Sequence, residues 1–105
     1  MGYYKLIKIS NGMKIIFFEV PKVEQDLFIK ALEGHEVTCY EEKLNEESIA
    51  LAKDAEVISI FVNSLMNQMI IDSLPNLKFI TTRSTGFDHI DVKYCESKGI
   101  KVSNV

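Results

Sequence analysis

The chain has 105 residues, of which 47% are apolar and 26% charged, and its formal net charge is −3. That is room for one domain with a single core, and the composition excludes a collagen, a coiled coil and a disordered tail. Arg83 is the sole arginine, and so little guanidinium on an acidic chain excludes a phosphate-binding surface for nucleic acid.

Residues 1–12 precede the first element that the pattern requires. Tyr3–Ser10 is rich in β-formers and Asn11-Gly12 is a two-residue hairpin signal. This arm is therefore expected to be a strand, added at a sheet edge or paired between chains, and residues 13–105 are read as the domain. Met13–Val20 is apolar on both faces and stopped by Pro21, as a strand buried within a parallel sheet reads. Two stripes at i, i+4 spacing follow, Val23, Leu27, Ala31 and Phe28, Leu32. They predict a helix over 22–33, ended by Gly34. Glu36–Tyr40 reads as a short strand. Asn45 as an N-cap, with Glu46 and Glu47 in the first turn, predicts a second helix over 46–53. Val57–Val62 is the next buried strand, and a short helix over 67–73 is closed by Leu74-Pro75-Asn76. Leu77–Thr82 is the fourth strand. Asp91 caps a helix over 91–98, Gly99 ends it, and Ile100–Ser103 is the fifth strand.

With right-handed crossovers, this alternation predicts an α/β, flavodoxin-like three-layer fold with a five-stranded parallel sheet in the order 2-1-3-4-5. The helix that would follow the fifth strand is missing, so one flank of the sheet is expected to expose apolar surface. The longest apolar-rich runs, such as Val57–Val62, are too short to span a membrane, and no secretory leader is read at the start. Cys39 and Cys95 have neither the density of a disulfide framework nor the spacing of a zinc site. Both are read as reduced thiols of a cytoplasmic protein, and His35 and His89 as structural.

Ligands of open parallel sheets bind beyond the carboxyl ends of the strands. Of those ends, only 62–65 and 83–88 are chemically rich. Gly86 allows a close backbone approach that a side chain would block. Asp91 suits a helix cap, and Asp88 is expected to brace the turn through backbone hydrogen bonds. Arg83, at a strand's carboxyl end, suits either a carboxylate ligand or a surface ion pair. Asn63 and Ser64 offer side-chain donors, or simply cap their turn.

The stretch Leu77–Asp91, centred on Arg83-Ser84-Thr85-Gly86-Phe87-Asp88-His89-Ile90-Asp91, together with Gly99–Val105, resembles the substrate domain of the D-isomer-specific 2-hydroxyacid dehydrogenases. The resemblance runs over Met13–Val105 and is nearest to the D-lactate dehydrogenase branch. It implies that Val62, Asn63 and Ser64 form a substrate loop whose backbone N–H groups hold a carboxylate, with Arg83, Ser84 and Gly86 on the facing turn. It also implies a parent enzyme in which NAD delivers hydride to a 2-oxo acid. That family's catalytic arginine, glutamate and histidine lie in or beyond a nucleotide domain, so no catalytic residue and no cofactor site are expected here. No Gly-x-Gly-x-x-Gly occurs to cradle a pyrophosphate. Relatives dimerise mainly through the nucleotide domain, so a homodimer is expected to use the uncovered flank or the Tyr3–Ser10 strand.

Other classes share this strand order. A phosphoacceptor receiver domain needs an aspartate ending strand three, where Phe61-Val62-Asn63 stands, and acids after strand one, where only Glu19 is near. A flavodoxin needs a Ser/Thr/Gly-rich phosphate loop where Val20-Pro21-Lys22 stands. An excised folding or interaction module without activity is the remaining alternative.

Overall fold

The computed structural model describes residues 12–104. Five parallel strands form one sheet: β1 (Lys14–Phe17), β2 (Glu36–Cys39), β3 (Val57–Ile60), β4 (Phe79–Thr82) and β5 (Lys101–Asn104), in the order β2-β1-β3-β4-β5. This is the expected order. Ile15, Ile16, Phe17, Val57, Ile58 and Ile60 are all buried, because β1 and β3 carry apolar side chains on both faces of the pleat. The strand expected over Tyr3–Ser10 lies outside the described residues.

The alternation of side chains divides the core in two. Ile16, Phe18, Ile58, Ile60 and Ile80 face helices α2 (Gln68–Asp72) and α3 (Val92–Ser97). Ile15, Phe17 and Val57 face helix α1 (Lys22–Ala31), with Phe28 and Leu32 packed over them. Both short helices start on the caps that the residues suggest. Asn67 Oδ1 accepts from Ile70 N–H at 3.0 Å, and Asp91 Oδ1 accepts from Tyr94 N–H at 3.1 Å.

Three expectations need correction. In α1 the Phe28/Leu32 stripe faces the sheet, whereas Val23 is 88% and Leu27 68% exposed; the helix also stops at Ala31. The helix expected over 46–53 is only a 3-10 turn, Ile49–Ala52. Its capping signal is spent locally: Asn45 Oδ1 accepts from the N–H groups of Glu47 and Ser48, while Ser48 Oγ donates to Lys43 O. Such side-chain bonds to nearby backbone compete with a helical ladder. The β4–β5 flank on the α1 side is not an apolar sheet either. Its residues are Phe79, Thr81, Lys101 and Ser103, and Thr81 is fully buried.

Cys39 and Cys95 are free. Burial pushes the Cys95 thiol up to about 11, so it stays protonated at neutral pH and packs as a small apolar side chain. Among the described residues no helix is long and apolar enough to cross a membrane.

Candidate functional site

The carboxyl ends of β1, β3 and β4 converge on one edge of the sheet, as the parallel order requires. What joins them is Glu19, which the sequence marks only by its nearness to strand one. Just past β1, Phe18 N–H donates to Ser59 O and Val20 N–H to Tyr40 O. Between them Glu19 adopts φ +60°, a left-handed conformation that costs a side-chain-bearing residue about 1–2 kcal/mol. The turn aims its carboxylate at the loop after β3. Glu19 Oε2 accepts from Phe61 N–H at 3.0 Å, Ser64 N–H at 3.0 Å and Ser64 Oγ–H at 2.6 Å. Oε1 accepts from Asn63 N–H at 3.2 Å. Charge-assisted bonds of this kind are the strong class, and four of them offset the backbone cost.

Ser64 is fully buried. Its hydroxyl also accepts from Leu44 N–H at 2.9 Å, so this side chain braces the loop from beneath and offers no donor outward. Val62 and Asn63, by contrast, are exposed. Val62 N–H donates to no acceptor among the described residues.

Arg83 is held on the inner side of the same junction. Nη1 donates to Ser59 Oγ at 2.6 Å, and Nη2 to the Phe18 carbonyl and, at 3.0 Å, to the Glu19 carbonyl. The guanidinium carbon lies 5.9 Å from the ring centroids of both Phe17 and Phe28, in cation–π range. The arginine therefore ties the β4 loop to the turn at Glu19. Cys39 feels it too: burial raises that thiol's pKa, and the Arg83 charge pulls against the rise.

The turn after β4 is closed by side chains. Thr82 Oγ1 lies 2.7 Å from Ser84 Oγ and 2.9 Å from His89 Nε2, and Ser84 Oγ–H donates to Gly86 O at 2.9 Å. His89 is thus a brace, and His35 likewise takes Met13 N–H on Nδ1 at 3.2 Å. Asp88, expected to brace the turn, makes no hydrogen bond among the described residues; His89 fills that role, because its ring reaches back to Thr82. The N–H groups of Ser84, Thr85 and Gly86 donate to no acceptor among the described residues. Nothing crowds the outer face of Gly86.

Two clefts open at this edge. One of about 510 Å³ is lined by Glu19, Pro21, Glu41, Lys43, Phe61 and Asn63. The other, about 320 Å³, is lined by Glu19, Val20, Pro21, Glu24, Phe28, Phe61 and Arg83. Phe61, at the carboxyl end of β3, forms a wall of both. Among the described residues no group of acids, histidines and cysteines could hold a metal ion. A dinucleotide does not fit the turn from β1 into α1 either: Pro21 is the residue before the helix, and no glycine lets backbone N–H groups close on a pyrophosphate.

Comparison with known proteins adds an independent line. The family model described as "D-isomer specific 2-hydroxyacid dehydrogenase, catalytic domain" matches residues 15–105. A Schizosaccharomyces pombe protein, "2-hydroxyacid dehydrogenase homolog 1", is 33% identical over 97 residues, covering 89% of this chain and 29% of the relative. The crystal structure of D-lactate dehydrogenase from Aquifex aeolicus, complexed with NAD and lactic acid, is similar with a TM-score of 0.80 and 35% identity, covering 87% of this chain and 27% of that one. NAD+-bound 3-phosphoglycerate dehydrogenase from Entamoeba histolytica gives a TM-score of 0.77 at 29% identity, over 89% and 32% of the respective chains. The chain spans less than a third of the length of each of these relatives.

Proposed function

Because the chain belongs to the D-isomer specific 2-hydroxyacid dehydrogenases, matching their catalytic domain, we propose that it is the substrate-binding part of an NAD-dependent oxidoreductase acting on D-2-hydroxy acids and 2-oxo acids. One observation supports this more than any other. The N–H groups of Val62, Ser84, Thr85 and Gly86 point to no acceptor among the described residues, at the strand ends where parallel sheets bind ligands. A carboxylate supplies the acceptors that such donors need. In this reading Val62, Asn63 and Ser64 shape one side of the substrate site. Ser84 and Gly86 offer backbone donors on the other, and Arg83 holds the two sides in register.

Hydride transfer needs a cofactor and a general acid near the carbonyl oxygen. Both are assigned to the rest of the longer family proteins, since the turn from β1 into α1 does not fit a dinucleotide and the two histidines serve as braces. The chain alone is therefore expected to bind 2-oxo acids only at millimolar or weaker affinity, about 4 kcal/mol or less. Fluorescence titration with NADH, and assay of pyruvate reduction at high protein concentration, are expected to give neither saturation nor turnover. Saturable NADH binding, or turnover that disappears when Arg83 is replaced, would contradict this assignment.

A further inference from the structure

A loop that binds carboxylates through backbone N–H groups must keep those groups free for the ligand. In the 61–64 loop three of the four are already taken. Phe61, Asn63 and Ser64 donate to the carboxylate of Glu19, and the Ser64 hydroxyl adds a fourth bond. Of the four, Val62 N–H alone has no acceptor among the described residues.

We propose that Glu19 is a positioning residue, a resident carboxylate that fixes the substrate loop by occupying its amide donors. The assignment of this edge as a substrate site rests on the reading above; the occupation of the donors does not. The consequence is a division of labour. The 61–64 loop presents side chains, the walls of Phe61, Val62 and Asn63, together with one N–H. The Ser84–Gly86 turn, whose donors are open, carries the larger share of an incoming anion.

Three features make the placement deliberate in physical terms. The left-handed backbone at Glu19 exists on a residue with a side chain, and it is this turn that carries the carboxylate across to β3. Arg83 holds the Phe18 and Glu19 carbonyls, so the backbone bearing the acid is itself pinned. Ser64 passes the constraint on to the next layer through Leu44 N–H. The carboxylate is consequently fixed from both ends and reaches three separate amides, a geometry that a mobile surface acid does not hold.

The test is chemical rescue, followed residue by residue in 1H–15N spectra of the whole chain. In Glu19→Ala the amide resonances of Phe61, Asn63 and Ser64 are expected to move strongly, with smaller changes elsewhere. Titration with sodium acetate should return them toward their original positions, and sodium chloride at equal ionic strength should not. Glu19→Gln keeps the length of the side chain and one acceptor oxygen but turns a donor NH2 toward the loop. It should shift the same three amides even if the alanine variant does not fold. The proposal is overturned if Glu19→Gln leaves the three amides in place, or if acetate fails to restore them in a folded Glu19→Ala. The outcomes in Glu19→Gln and Glu19→Ala do not depend on whether a 2-oxo acid binds at Val62 and the Ser84–Gly86 turn, so failure there and failure of the substrate-site reading are separate results.

Discussion

Replacing Ile58 with alanine is expected to destabilise the chain by about 2–5 kcal/mol, the range for deleting a buried aliphatic side chain without collapse of the cavity. Ile58 is fully buried in β3, flanked by Ile16 of β1 and Ile80 of β4 in the parallel register. It points into the layer beneath α2 and α3. The site collapses poorly because both neighbouring strands are fixed by their ladders, so the value should lie in the upper half of that range. Small domains have only about 5–15 kcal/mol in total. Urea unfolding should show a lower midpoint with an unchanged slope, and a loss below 1 kcal/mol would mean that the core packs differently.

The second large effect is expected at Arg83. Arg83→Met keeps the stem but removes the donors to Ser59 Oγ and to the Phe18 and Glu19 carbonyls. Hydrogen bonds from a charged donor contribute about 1.5–3 kcal/mol each, and acceptors left without partners add a desolvation cost. Water can reach part of this half-exposed junction, so a loss of about 2–3 kcal/mol overall is expected. Arg83→Lys should recover little of it. A single ammonium cannot reproduce a planar fork directed at both a serine and a pair of carbonyls. Denaturant melts of both variants measure this, and full stability in Arg83→Lys would show that charge alone matters at the junction.

How much of this was legible in the sequence follows from the reach of each interaction. Strand order was legible because apolar runs such as Val57–Val62 alternate with helical stretches at a regular spacing, and crossover handedness then leaves few topologies. The face of α1 was not. Val23/Leu27/Ala31 and Phe28/Leu32 both satisfy the helical period, and the period does not say which stripe meets the sheet. At Asn45 the capping signal was genuine, but Ser48 closed a turn around it before a helix could propagate. The Arg83–Asp91 turn was visible as a motif, though its brace turned out to be His89 in place of Asp88. Glu19 had no local signature at all. Its partners lie 42 to 45 residues away, and the carbonyls that Arg83 holds lie 64 and 65 residues from it. The only available hint was position: an acid directly after a central strand, at the edge where the ends of β3 and β4 must also arrive.

The claim that this edge receives a 2-oxo acid is tested most directly by titrating the chain with oxamate, an unreactive isostere of pyruvate, while following its backbone amides. Progressive shifts are expected at Val62 and across Ser84, Thr85 and Gly86, with Phe61, Asn63 and Ser64 nearly still, and half-saturation in the millimolar range or above. Shifts confined to another surface, or none at Val62 and the Ser84–Gly86 turn at concentrations well above the millimolar range, would contradict the account.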